Sequence, residues 1–184
     1  MSADDVLARI VSTLERATIP YMLTGSLASS IYGTPRATMD VDIVFAPTEE
    51  QLRRLKELMP EAEYYFDLTD ALDAHRRRSQ FNVIDFATMW KVDLIFQRHR
   101  PYDRTAFERK VAIDHQGFQV FVASAEDSII SKLEWAKLGD SELQIRDVVG
   151  ILRMRSEVLD RAYIEHWVHQ LQLERQWETA SRLV

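Results

Sequence analysis

The chain has 184 residues, of which 46% are hydrophobic and 28% are charged, and it carries a net charge of −6 without any cysteine. This apolar fraction is typical of one folded domain, with or without a helical appendage, and excludes an intrinsically disordered protein. The missing cysteines exclude disulfides and thiolate zinc sites. The acidic balance argues against a protein that coats nucleic acid, because binding to phosphates needs a basic surface.

Residues 4–18 predict an amphipathic helix, because apolar side chains recur there every three or four positions. Pro20 ends this helix. The N-terminal segment has no basic stretch followed by an apolar one, and no later apolar run approaches the length of a membrane span. We therefore expect a cytoplasmic protein that does not enter a membrane.

A phosphate-binding junction is predicted next. A short apolar strand, residues 21–23, leads into Gly25 and Ser26, and a helix of small residues follows at 27–32. A strand–Gly–Ser–helix junction presents backbone N–H groups, a hydroxyl and the positive end of a helix dipole, which together favour phosphate. Arg36 would add positive charge after this helix. A Gly-Ser turn alone is more often only a turn, so the prediction depends on what accompanies it.

Two carboxylates one residue apart open the next predicted strand, residues 40–45. Residues i and i+2 of a strand share a face, so Asp40 and Asp42 point to one side while Val41 and Ile43 point to a core. Adjacent carboxylates repel each other unless a cation or a hydrogen-bond donor lies between them. Mg²⁺ prefers such oxygen ligands and often completes its shell with substrate phosphates.

Helices are predicted at residues 48–59 and 67–78, and a hairpin is predicted from strands at 80–86 and 90–96. The second helix ends in three consecutive arginines. Cations at a helix C-terminus are favourable for the dipole and usually indicate only a solvated surface. Contact with nucleic acid is the alternative.

The last of these strands alternates between apolar and polar residues. Val92, Leu94 and Phe96 face one way, whereas Lys91 and Asp93 face the other. Asp93 is therefore an acid on the polar face of a strand, as Asp40 and Asp42 are. In isolation, such a residue is typical of a solvent-exposed face.

The segment 98–110 is locally basic, with five arginines and lysines against two acids. It is the best candidate in the chain for holding a triphosphate or a polyanionic acceptor. A charged helix whose side chains pair among themselves explains the composition equally well. A hairpin is expected over residues 111–122.

The remainder of the chain predicts helices. A helix from 124 to 137 carries Lys132 beside its apolar stripe, a second helix follows Gly139 and carries Asp147, and further helices cover 160–183. His166 and His169 lack a third ligand, so we expect no zinc site there. We divide the chain into a core, residues 1–123, and a C-terminal helical region, residues 124–184.

The pattern from Gly25-Ser26 through Arg36 to Asp40-x-Asp42 resembles the signature of the nucleotidyltransferase-fold superfamily, the polymerase β-like enzymes. The order of later residues is most similar to small AbiEii/MenT-like bacterial nucleotidyltransferases, and the resemblance covers roughly residues 20–152. It implies an α/β (α+β) nucleotidyltransferase fold, in which a mixed β-sheet is flanked by helices and followed by a C-terminal helical region.

The resemblance also implies roles for individual residues. Asp93 would be the third carboxylate of a metal-binding triad with Asp40 and Asp42, holding magnesium or manganese. Lys132 would contact nucleotide phosphates, and Asp147 would position it or take part in catalysis. The family more often has Lys-Asp where this chain has Arg146-Asp147, and an ordinary Lys132–Asp147 pair joining two helices is the structural alternative.

The activity implied by the resemblance is metal-dependent transfer of an NMP from an NTP, such as ATP, to an acceptor hydroxyl, with release of pyrophosphate. The acceptor would be tRNA or a protein, and an antitoxin would be a partner. A small-molecule, antibiotic-type nucleotidyltransferase and a non-catalytic binding module of the same fold are the alternatives. An acidic, aromatic-lined pocket would favour a cationic small molecule, whereas a basic groove would favour nucleic acid.

Overall fold

The computed structural model describes residues 3–35, 37–38 and 40–184. The helices in this part of the chain are α1 (Ala3–Arg16), α2 (Gly25–Tyr32), α3 (Glu49–Leu58), α4 (Leu68–Arg77), α5 (Pro101–Glu108), α6 (Ala125–Gly139), α7 (Glu142–Arg155), α8 (Arg161–Gln170) and α9 (Glu174–Ser181). The strands are β1 (Tyr21–Thr24), β2 (Asp40–Phe45), β3 (Tyr64–Tyr65), β4 (Gln80–Asp85), β5 (Lys91–Phe96), β6 (Val111–His115) and β7 (Phe118–Val122). None of these helices is both long and apolar enough to cross a membrane.

The strands form one mixed sheet in the order β3-β4-β5-β2-β1-β7-β6. Strand β2 is parallel to β5, and β1 is parallel to β7, whereas β3 with β4, β4 with β5, and β6 with β7 are antiparallel. The two predicted hairpins, β4–β5 and β6–β7, are confirmed. The mixed sheet with its helices also confirms the fold class expected from the sequence.

The apolar face of the central strands forms the core of the sheet. Val41, Ile43 and Phe45 of β2 alternate with partly exposed residues and are fully buried, as are Val92, Leu94 and Phe96 of β5. The Phe45 and Phe96 rings lie 4.6 Å apart between centroids, and His75 of α4 packs edge-on against Phe96. The predicted alternation of these strands is therefore confirmed, and their acids lie on the opposite face.

Local signals account for several helix starts. Thr48 and Gln51 form a reciprocal capping box at α3, Asp67 caps α4, and Ser124 caps α6. Asp140 then adopts a left-handed conformation with φ of 46° and separates α6 from α7, at the break predicted after Gly139.

The chain divides into two compact units, residues 1–23 with 38–122, and residues 24–37 with 123–184. The first, the sheet unit, holds the sheet with α1 and α3–α5. The second, the helical unit, holds α2 with α6–α9. The division predicted from the sequence, 1–123 and 124–184, instead placed α2 with the sheet.

In the helical unit, the segment after α2 packs directly on the backbone of α7. A Cβ atom added to Gly33 would lie 2.8 Å from the Ile151 nitrogen, and one added to Gly150 would lie 3.2 Å from the Thr34 nitrogen. These two glycines allow a backbone-to-backbone contact that larger residues would prevent.

Candidate functional site

The sheet unit carries the predicted carboxylates on adjacent parallel strands. Strand β2 pairs with β5 in a register that sets Asp40 beside Lys91 and Asp42 beside Asp93. Directly paired residues of neighbouring strands share a face, so all four side chains lie on one side of the sheet. The structure therefore brings the three predicted acids together, and it adds a lysine to them.

Lys91 bridges the two strands. Its Nζ lies 3.0 Å from Asp93 Oδ2 and 3.4 Å from Asp40 Oδ1. The hydrogen bond to Asp93, reinforced by the charge of Asp40, raises the pKa of Lys91 above its usual value, so this side chain stays protonated at neutral pH. The ammonium thus neutralises part of the charge of the carboxylates.

Asp93 differs from the exposed residue that its sequence context indicates. It is only 7% exposed, and its Oδ1 is buried without a hydrogen-bond partner among the described residues. A buried carboxylate oxygen without a partner is unfavourable, and a cation would relieve that penalty. The donor set is thus chemically suited to a hard divalent ion.

The carboxylates do not form a finished metal site in this structure. Within residues 3–35, 37–38 and 40–184, no group of three His, Cys, Asp or Glu side chains is arranged to hold a metal ion. Instead, oxygens of Asp40 and Asp93 converge on the Lys91 ammonium. A divalent ion bound through the unpartnered Asp93 Oδ1 would lie close to this ammonium.

The helical unit carries the predicted phosphate-binding residues. Gly25 has a φ of 67°, in the left-handed region that glycine adopts without strain. It opens α2, and within the described chain the preceding Thr24 gives this helix no side-chain cap. The Thr24 side chain therefore does not accept hydrogen bonds from the first backbone N–H groups of α2. These are the groups that bind anions at a helix N-terminus.

Ser26, Lys132 and Asp147 come together in this unit. Lys132 Nζ lies 2.8 Å from Asp147 Oδ2 and donates a hydrogen bond of 3.5 Å to Ser26 Oγ. The side chains of Lys132 and Asp147 are only 5% and 8% exposed. The structure thus places the predicted lysine between the serine of α2 and the aspartate of α7.

Two further acids in the first turn of α6, Glu126 and Asp127, have structural contacts. Asp127 accepts hydrogen bonds of 2.7 Å from both Ser124 and Tyr163, and Glu126 accepts one from the Asp160 backbone. Both acids are buried. Their contacts within the helical unit explain their presence without a role in chemistry.

Other residues singled out in the sequence have mixed outcomes. Arg36 lies outside the described residues. In the basic segment, Arg100 pairs with Asp103 at 2.5 Å, and the Lys110 ammonium lies over the Phe107 ring at 4.3 Å. Part of the positive charge of this segment is therefore engaged locally, in agreement with the alternative of internal pairing.

The arginines at the end of α4 also pair locally. Arg76 and Arg77 both contact Asp73, at 2.5 and 2.8 Å. These pairs agree with the interpretation of a solvated helix end rather than a nucleic-acid contact.

A cavity of about 340 Å³ lies at the end of the sheet unit where β4 meets α4. Its lining includes Tyr65, Asp67, Asp70, Asp73, Arg77 and Asn82. The three aspartates outnumber the one arginine, so the lining is acidic. Asn82 pairs in register with Asp93 on the neighbouring strand, which sets this cavity beside the strand that carries the third acid.

One charged pair of the sheet unit was not anticipated. Asp85 is 2% exposed and accepts hydrogen bonds from Arg9 of α1, at 2.5 Å, and from Thr88. Burial alone would raise the pKa of Asp85, but the hydrogen bonds from Arg9 and Thr88 outweigh it and hold that pKa below its usual value. No local signal predicts this pair, because Arg9 and Asp85 are distant in sequence.

Comparison with known protein families decides the identity of the chain. Residues 13–170 match the family described as "Nucleotidyl transferase AbiEii toxin, Type IV TA system". The chain belongs to the AbiEii nucleotidyltransferase toxin family. This membership confirms the resemblance drawn from the sequence and places the protein among nucleotidyl transferases. A search of curated protein sequences found no match.

Solved structures agree with this fold. ANT(2")-Ia in complex with adenylyl-2"-tobramycin is similar with a TM-score of 0.58 and 12% identity, over 94% of this chain and 97% of that one. A nucleotidyltransferase-like protein from Paracoccidioides brasiliensis gives 0.57 and 14%, over 98% and 93%. The lincosamide adenylyltransferase LnuA, bound to lincomycin, gives 0.54 and 11%, over 82% and 96%. At these identities the similarity demonstrates the shared fold.

Proposed function

We propose that this AbiEii-family protein transfers an NMP from an NTP to an acceptor hydroxyl, with magnesium or manganese bound by Asp40, Asp42 and Asp93. The observation that carries the proposal is the position of these acids on one face of β2 and β5, with a buried oxygen of Asp93 lacking a partner. Such an arrangement is unfavourable without a cation. Membership of a nucleotidyltransferase family supports the same chemistry.

The acids would have distinct tasks. Asp40 and Asp42 would hold the metal. Asp93 would also bind it and would accept the proton of the acceptor hydroxyl as that oxygen attacks the α-phosphorus. The bond from the α-phosphorus to the bridging oxygen breaks, and pyrophosphate leaves. When bound, the divalent ion would neutralise triphosphate oxygens and orient the reacting groups.

The residues of the helical unit would bind the triphosphate. The backbone N–H groups at Gly25 and Ser26 would donate hydrogen bonds to phosphate oxygens, with the Ser26 hydroxyl as a further donor. Lys132 would place positive charge against the leaving pyrophosphate, with Asp147 holding it in position through their 2.8 Å contact. Arg36 would contribute a second positive charge.

We propose tRNA or a protein as the acceptor, in a toxin with an antitoxin partner, because the family is described as a type IV toxin–antitoxin system. The free charge of the basic segment is smaller than its composition indicates, since Arg100 is paired. The acidic cavity beside Tyr65 favours a second candidate, a cationic small-molecule acceptor. ANT(2")-Ia, which has a similar fold and was solved in complex with adenylyl-2"-tobramycin, is a precedent for this second class.

One experiment tests the activity and ranks the acceptors. The protein is incubated with each α-labelled NTP and Mg²⁺, in separate reactions with total tRNA, cell-lysate protein, or an aminoglycoside. We expect labelled product in one of these reactions, loss of label with EDTA, and no transfer by Asp42→Asn. Asp114→Asn, near the end of β6, is the matched control and should remain active.

Two results would contradict the proposal. Undiminished transfer by Asp42→Asn would remove the metal role of this acid. Absence of transfer in every reaction, with the protein folded and NTP bound, would favour the non-catalytic binding module.

A further inference from the structure

Lys91 is the basic side chain of the strand pair that carries the candidate acids. Its ammonium contacts a carboxylate from each strand, Asp93 at 3.0 Å and Asp40 at 3.4 Å. A divalent ion that bridges the same two carboxylates would lie close to this ammonium, because Lys91 contacts one oxygen of each carboxylate. The ammonium and the ion cannot both be held there, because two cations at contact distance repel each other.

Lys91 is able to leave this position. Its side chain is 41% exposed, and that of Asp40 is 51% exposed, so solvent reaches both partners. A lysine has a flexible four-carbon stem and a strongly hydrated head group, which allow it to turn into water without burying its charge. Asp93 has no such freedom, because it is buried, and it therefore needs another cation when Lys91 leaves.

We propose that Lys91 is a tethered counter-ion that occupies the divalent-ion position until metal and nucleotide arrive together. This inference rests on the proposed function. A free divalent ion only replaces the Lys91 ammonium with another cation, so its net binding free energy at this site is small. An ion bound to a triphosphate brings further oxygen ligands, and the triphosphate also offers a new partner for the displaced ammonium. The protein therefore takes the metal as its NTP complex.

Mn²⁺ binding measured by electron paramagnetic resonance tests the inference without relying on activity. Titrations are made on wild type, Lys91→Met and Lys91→Arg, each with and without a non-hydrolysable NTP analogue. Without nucleotide, we expect Lys91→Met to bind Mn²⁺ about tenfold more tightly than wild type, since a competing charge is removed. Lys91→Arg keeps that charge and should resemble wild type. The analogue should tighten Mn²⁺ binding more in wild type than in Lys91→Met.

Control variants separate this inference from the proposed metal site. Lys56→Met removes a positive charge from α3 of the same unit, where Lys56 contacts Glu61 and not the candidate acids, and this variant should bind Mn²⁺ like wild type. Asp42→Asn should weaken Mn²⁺ binding with or without the analogue. If Lys91→Met binds Mn²⁺ no more tightly than wild type while Asp42→Asn binds weakly, the counter-ion role is wrong and the metal site stands. If no variant binds Mn²⁺ even with the analogue, both are wrong.

A measurement on the unaltered chain covers the case in which Lys91→Met does not fold. Labelling of Lys91 by an amine-reactive reagent is quantified by peptide mass spectrometry, with Lys56 as the internal reference. Mn²⁺ and the analogue together should increase Lys91 labelling severalfold, or protect it fully if the displaced ammonium binds phosphate, and Mn²⁺ alone should change it little. Labelling that is unchanged by the pair, or changed equally by Mn²⁺ alone, would overturn the inference.

Discussion

Two lysine–aspartate contacts of this protein share their chemistry but differ in their surroundings. In the helical unit, Lys132 and Asp147 meet at 2.8 Å with side chains that are 5% and 8% exposed. In the sheet unit, Lys91 and Asp40 meet at 3.4 Å with side chains that are 41% and 51% exposed. The charged groups of the buried pair cannot exchange each other for water, whereas those of the half-exposed pair can.

This difference in exposure distinguishes a charged pair that supports the fold from one whose lysine can be replaced by another cation. A buried pair that loses one member leaves an uncompensated charge in the interior, so both members support folding whether or not they also bind phosphate. A half-exposed pair contributes little to stability, and ions or substrate can replace one member. The helical unit therefore keeps its lysine in place, while the sheet unit can exchange its own.

The largest effect on stability is expected for Asp147→Ala. Removing this carboxylate leaves the buried Lys132 without its 2.8 Å partner, and the free energy of unfolding should fall by about 3 to 5 kcal/mol. Urea denaturation followed by circular dichroism measures this loss. A double variant, Lys132→Met with Asp147→Leu, removes both charges and should recover most of the stability without restoring NTP binding. A loss below about 1 kcal/mol for the single variant would contradict a structural role for the pair.

A pair of intermediate exposure sharpens the comparison. Arg9 is 33% exposed, whereas its partner Asp85 is 2% exposed, and Asp85→Asn should lower the free energy of unfolding by about 2 kcal/mol at pH 7. Because the pKa of Asp85 is lowered in the fold, its contribution is present above the ordinary value of 3.8 and is lost as pH falls through the lower folded value. Denaturation curves of wild type and Asp85→Asn should converge below that pH. A difference that stays constant down to pH 3 would exclude this charge as its source.

The proposed contact between the helical unit and the triphosphate predicts a moderate loss of NTP affinity, smaller in free energy than the stability losses above. Ser26→Ala removes a hydroxyl that lies 3.5 Å from Lys132 Nζ, and NTP affinity should fall roughly fivefold to tenfold, the equivalent of one hydrogen bond. Isothermal titration calorimetry measures the affinity. Ser30→Ala is the matched control, because its hydroxyl donates to the Ser26 carbonyl of the same helix at 2.8 Å. Equal affinities for Ser26→Ala and wild type would remove the hydroxyl from the proposed phosphate contacts.

The smallest change in stability is expected for Asp40→Asn. Its carboxylate is half-exposed and is one of two partners of Lys91, so the free energy of unfolding in EDTA should change by less than about 1 kcal/mol. Thermal unfolding in EDTA gives this value. A loss comparable with that of Asp147→Ala would show that the two lysine–aspartate contacts are energetically alike.

Patterns local in sequence predicted most of the fold. The two-residue alternation placed Asp40 and Asp42 on the polar face of β2 and Asp93 on the polar face of β5, and capping residues such as Thr48 and Ser124 marked helix starts. These features depend on neighbours within a few residues. Strand β3 was not predicted, since a two-residue strand has no periodicity to detect.

Contacts between distant segments could not be predicted in the same way. The burial of Asp93 depends on the elements around β5, and the Arg9–Asp85 pair joins α1 to the end of β4. The signal for Lys91 was present, because it shares the polar face of β5 with Asp93. Its contact with Asp40 required the register between β2 and β5, which the sequence alone does not reveal.

The close approach of Gly33 to the Ile151 nitrogen has a consequence for synthesis on the ribosome. The segment that carries Ser26 emerges early, whereas the helix against which it packs emerges late. A nascent chain that ends near residue 122 holds the three carboxylates but lacks the helices that support α2. The carboxylates proposed to bind metal therefore become available earlier in translation than the helices that support the proposed phosphate site. An incomplete chain of this length has the carboxylates but lacks those helices.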